Sequence, residues 1–168
     1  MISFQGHFKG GSVKSERMLD REFVLRYVSF CYLNLKDYTG NIDEFLNKGM
    51  KYLNCAEDHT LEKIRSEFIY VMKCMRRLMG RNSFRKISRD GRRRPINKAI
   101  FESWCYVVKN LSEDQVEYLV RNRDLVQEKY MDLCEDNDYL YQLKAPDRKM
   151  VIKRIADIKK LIDSILRK

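Results

Sequence analysis

Proline and glycine are scarce, at two and seven of 168 residues, and histidine is scarcer still, at two. With Lys, Glu, Arg, Leu and Met abundant, the low Gly and Pro content favours helices. The histidines, His7 and His59, fall in stretches read as loops. They are too few for a histidine-ligated nuclease metal or a Ser-His triad. The five cysteines, Cys31, Cys55, Cys74, Cys105 and Cys134, are never closer than 19 positions, so no CxxC metal or redox pair exists. No apolar run approaches the roughly 20 residues of a membrane-spanning helix. The start, "MISFQGHFKGGSVKSERM", lacks the apolar core of a secretory signal. A cytoplasmic chain without metal or cofactor is the expectation. P-loop, GxGxxG, HExxH, GxSxG and EF-hand patterns are missing too, which counts against a self-sufficient active site.

What is present is charge of one sign in one place. The formal net charge is +10, and the stretch from Lys73 to Lys98 accounts for all of it, with eleven Lys and Arg against one acid, Asp90. The rest of the chain is balanced. A positive pole on a neutral body is the pattern expected where a polyanion docks.

Apolar periodicity organises the remainder into one core. Residues 1–15 are Gly-rich and unpatterned, and are read as a flexible segment. Residues 16–168 are read as a single helical domain of about six helices. The first runs from Glu16 with Phe23, Val24, Tyr27, Val28, Cys31 and Leu35 on one face, until "DYTGN" ends it. Asn41 caps the second, through Phe45, Leu46, Met50 and Leu53. The third starts near Thr60 and carries Leu61, Ile64, Phe68, Val71, Met72, Met75, Leu78 and Met79 to a stop at Gly80. Asn97 caps a fourth with Ile100, Phe101, Trp104, Cys105 and Val108. "SEDQ" opens a fifth with Ser112 as cap and Gln115 closing the box; it carries Val116, Leu119, Val120, Val126, Tyr130 and Met131. The last opens with Pro146 in its first turn and carries Val151, Ile155, Ile158, Ile162 and Ile165.

Between the third and fourth helices, residues 81–96 lack a helical period. Asp90-Gly91 signals a tight turn, so a short basic hairpin or loop is expected there. Three readings of its charge stand side by side: a solvated loop, an arginine cluster for acidic protein or nucleotide phosphates, and a nucleic-acid backbone contact. In the last, Arg85, Lys86, Arg89, Arg92, Arg93 and Arg94 carry the contact. Only Phe84 accompanies them as an aromatic, so backbone contact is favoured over base stacking. A second cluster, Arg17, Asp20, Glu22 and Arg26, opens the first helix. It is read as helix-face ion pairing, with Glu22–Arg26 at i, i+4 contributing about 0.3–0.5 kcal/mol.

Four stretches together resemble a known family. "RMLDREFVLRYVSF" resembles the "RMxDxExxLRF" segment of the GmrSD-type restriction family, whose N-terminal part is catalogued as domain of unknown function 262. "YTGNIDEFLNKGM" is similar to that family's Tyr, Gly and "FLN" stretch. "RRRPINKAIFES" resembles its "INxAxFE" segment, and "RKMVIKRIADIKKLIDSIL" its C-terminal helix. The resemblance covers residues 16–166. It matches the family at Arg17, Asp20, Glu22, Arg26, Asn97, Phe101 and Glu102, and implies no catalytic role for them. The family's nucleotide-handling "DGQQR" motif and its HNH nuclease domain do not occur here. The resemblance therefore implies the helical half of an antiviral restriction protein, a DNA-binding accessory domain that packs on a DGQQR-type domain or subunit. An interaction or scaffold module without a nucleic-acid role is the alternative.

Overall fold

The computed structural model describes residues 19–167. The flexible segment expected at 1–15, and the helix start expected at Glu16, lie outside them. The described residues form eight α-helices: α1 Leu19–Tyr32, α2 Ile42–Cys55, α3 Asp58–Met79, α4 Lys98–Lys109, α5 Glu113–Arg121, α6 Arg123–Glu135, α7 Asn137–Gln142 and α8 Arg148–Leu166. They contain no β-strand, and the fold is all-α. Among them, no helix is long and apolar enough to cross a membrane.

The helix ends follow local chemistry. The side chains of Asn41, Asn97, Asp136 and Asp147 each accept a backbone N–H of the first turn they precede. Ser112 and Gln115 form a reciprocal capping box. Gly80 ends α3 at φ 53°, in the left-handed region that glycine enters at little cost.

α4 is the central element. Eight of its residues are buried, Ile100 to Cys105 together with Val107 and Val108, and it packs against α1, α3 and α8. α2 covers α1, while α5, α6 and α7 close the side between α3 and α8. Aromatic edges knit the core: Phe23 and Phe84 each meet the Phe101 ring at 4.8 Å, and Trp104 meets Tyr130 at 5.1 Å.

Eight helices replace the expected six for two local reasons. The run 113–131 breaks at Asn122, whose backbone leaves helical values at φ −104°, ψ 25°, while its side-chain amide donates to the Tyr118 carbonyl. No Gly or Pro marks that break. The short α7 follows its Asp136 cap and buries Tyr139 and Gln142. The last helix begins two positions later than read, at Arg148, with Pro146 preceding the Asp147 cap.

Residues 83–97 form a loop and not a strand-paired hairpin. One antiparallel bridge, Arg85 to Ile96, closes its base. At the tip, the Gly91 N–H donates to the Ser88 carbonyl at 3.2 Å, and Gly91 takes φ 67°.

Candidate nucleic-acid interface

The basic loop is held from inside and outside. Phe84 and Ile87 are buried, and Phe84 sits at φ 60°, a left-handed conformation that costs a non-glycine residue about 1 kcal/mol or more. Its ring stacked edgewise on Phe101 offsets that cost, and its carbonyl accepts the Asn97 N–H at 2.9 Å. The loop therefore leaves the core at a fixed point and returns to it as α4 begins.

The six arginines and lysines singled out from the sequence are not equivalent. Arg85 is 4% exposed, and its guanidinium donates to the Arg94 carbonyl, so it braces the loop from beneath. Burial, and then the nearby Arg93 charge, lower its pKa from the ordinary arginine value. Arg89 reaches out of the loop to α6, with Nη2 on Asp132 Oδ1 at 2.5 Å and Nε on Glu135 Oε2 at 3.2 Å. Those contacts, the Glu135 hydrogen bond first, raise its pKa. Arg94 is taken up by Asp90, Nη2 to Oδ2 at 2.6 Å.

Asp90 organises the tip. It accepts from the Ser88 hydroxyl at 2.5 Å and from the Arg92 N–H at 3.0 Å. These two bonds, with the charges of Arg94 and Arg92, hold its carboxyl below the usual aspartate range against slight desolvation.

Lys86, Arg92 and Arg93 are left without a carboxylate partner among the described residues. Arg92 and Arg93 are exposed and Lys86 half-buried. Lys73 and Arg76, exposed on α3, and Arg81, in the turn that follows it, are in the same condition, whereas Arg77 forms a bidentate pair with Glu117 at 2.5 and 2.8 Å. α3, the loop and α6 are tied together, because Gln127 donates to the Leu78 carbonyl at 2.7 Å while Arg89 grips Asp132. The pole thus keeps six cations without a carboxylate partner among the described residues, on α3, the turn that follows it and a loop that Arg89 ties to α6.

The helix-face cluster is larger and deeper than its spacing suggests. Arg26 donates to Glu22 at 2.8 Å and to Glu102 of α4, and Glu102 accepts from Arg154 of α8 at 2.6 Å. Lys98 binds the second oxygen of Glu22 at 2.8 Å. Arg26, Glu102 and Arg154 are all buried, at 8%, 2% and 4% exposure. Against the opposing desolvation, the Lys98 and Arg26 bonds hold the Glu22 carboxyl below the usual glutamate range. Helix spacing pairs Glu22 with Arg26, and the family resemblance singles out Glu102 without a role; nothing in the sequence points to Arg154. Among the described residues, Asp20 accepts only the Arg21 N–H, at 2.9 Å, and Arg17 lies outside them.

Among the described residues, no group of His, Cys, Asp and Glu could hold a metal ion. No family model, curated protein or solved structure matches the chain.

Proposed function

We propose that this domain binds the sugar-phosphate backbone of nucleic acid, DNA in the first instance, as the helical accessory part of a GmrSD-like antiviral restriction system in the bacterial cytoplasm. The observation that carries the reading is the condition of Arg92 and Arg93. They stand exposed, without a carboxylate partner among the described residues, beside the tip of a loop in which Arg85, Arg89, Asp90 and Arg94 are engaged within the protein. Like charges held together in this way gain from a polyanion that neutralises them, and each phosphate contact releases counterions. With no aromatic platform beside them, the contact is to phosphates and is indifferent to base sequence.

The reading assigns no chemistry to this chain. A DGQQR-type domain or subunit would supply the nucleotide handling and pack on the helical domain. Glu22, Arg26, Asn97 and Glu102, positions at which the chain resembles that family, lie together where α1, α4 and α8 meet.

The test is direct binding of a fluorescent duplex oligonucleotide, read by anisotropy. Saturable binding weakened by Arg92→Ala with Arg93→Ala supports the proposal. A protein partner that co-purifies without nucleic acid, with no duplex binding, favours the scaffold alternative instead.

A further inference from the structure

Beside the buried ion cluster lies an open cleft of about 450 Å³ between the start of α4 and the turn that leads into α8. Its lining carries four cations, Arg26, Lys98, Lys144 and Arg154, and one carboxylate, Glu102; Glu22, which pairs with Lys98 and Arg26 beside the cleft, is a second, so the group keeps a surplus of two positive charges. Glu102 is already spent, because both of its oxygens accept from guanidinium groups in the floor. Lys144 is exposed and has no carboxylate partner among the described residues. Arg154 is more than nine-tenths buried, and its Nε has no hydrogen-bond partner there. A low-dielectric floor with this surplus of positive charge favours an anion above it.

Two further features fit the same ligand. The N-terminus of the 12-residue α4 opens on the cleft, where the Lys98 and Ala99 N–H groups have no intrahelical acceptor. The remaining walls are largely apolar, with Ile42, Ile96, Leu143 and Pro146. The volume lies within the range of small-molecule sites.

We infer that this cleft binds a small organic phosphate, with the phosphoryl group held between Lys98, Lys144 and the start of α4 and the body of the molecule against the apolar walls. The site adjoins the base of the basic loop through Ile96 and Asn97, but uses none of the cations at its tip.

Phenyl phosphate is a suitable probe, tested by calorimetric titration and thermal unfolding at constant ionic strength. The expected result is saturable binding with a rise in Tm, at least several-fold tighter than inorganic phosphate. Lys98→Ala with Lys144→Ala, both at partly exposed positions, is expected to weaken binding tenfold or more. Arg92→Ala with Arg93→Ala is expected to leave it unchanged, whatever it does to duplex binding. The inference is overturned by no binding beyond that of matched chloride. It is equally overturned if the Arg92/Arg93 variant abolishes binding and the Lys98/Lys144 variant retains it, since the phosphate then sits on the loop.

Discussion

Arg154 donates to Glu102 at 2.6 Å across 52 positions of sequence, inside the core, and the other Glu102 oxygen accepts from Arg26. One carboxylate thereby fastens α8 and α1 to the central helix. Removing one member of a buried ionic group strands the rest, at a cost of about 3–5 kcal/mol. Glu102→Gln is expected to lose that much in denaturant unfolding, a large share of a domain's whole stability. The combined variant Arg26→Met, Glu102→Leu, Arg154→Met is expected to lose less than the single change, because no charge is left buried alone. A triple variant worse than the single would contradict this account of the cluster.

Acid should weaken the same region. Glu22 has a folded-state pKa below its unfolded value, so its contribution is complete above the unfolded pKa and is lost as pH falls through the folded one. Asp90 and Glu117 are shifted in the same direction, by the Ser88 hydroxyl and the Arg77 pair respectively. Stability should therefore fall as pH drops below about 4.5. Glu22→Gln should flatten that fall in a pH series of thermal melts. An unchanged pH profile in the variant counts against the assignment.

Gly49 sets how closely α2 approaches α1. A Cβ there would lie 2.2 Å from Ser29 Oγ, whose hydroxyl donates to the Phe45 carbonyl at 3.3 Å. Gly49→Ala should destabilise the domain by about 1–3 kcal/mol through overpacking. Ser29→Ala removes the clashing oxygen and leaves Ser29 Cβ 3.4 Å away, so it should recover part of that loss. A double-mutant cycle checks the coupling, and strict additivity would show that the two do not meet.

The cysteines should separate by reactivity. Cys55 is exposed, whereas Cys74, Cys105 and Cys134 are buried, and burial raises the pKa of all three buried thiols. Burial also pushes the partly buried Cys31 upward, over the lowering effect of Lys109. Under native conditions a thiol reagent should label Cys55 first, and mass spectrometry should find the buried three modified only after unfolding. Fast native labelling of Cys105 would contradict the packing of α4.

These residues also show how far the sequence could be read. Helix faces and caps were legible wherever the signal is local, as at Asn41, Asn97 and the Ser112–Gln115 box. The kink at Asn122 was not, since apolar spacing runs through it and its side-chain bond to Tyr118 leaves no compositional mark. Glu102 was hidden for another reason. It lies off the Ile100, Phe101, Trp104, Cys105 stripe and so resembles a solvent-facing position, yet α4 is covered on that side too. A polar pair, Glu102 and Ser103, inside an otherwise apolar helix was the available signal, but nothing local names Arg154 as the partner. In the basic loop, charge was legible and its distribution was not: Asp132 and Glu135, which neutralise Arg89, lie more than 40 positions away.

The loop geometry decides which charges to change. Arg94 holds Asp90, Arg89 holds α6 and Arg85 braces the loop, so Lys86, Arg92 and Arg93 are the substitutions that remove contact charge without loosening the platform. The most direct measurement is the duplex-DNA affinity of the wild type and the Lys86/Arg92/Arg93→Ala variant across a salt series. The account predicts steep log–log salt dependence in the wild type, and a slope lower by up to about 3 in the variant, whose fold and Tm are retained. Affinity that ignores salt, or a slope unchanged by the triple substitution, would contradict it.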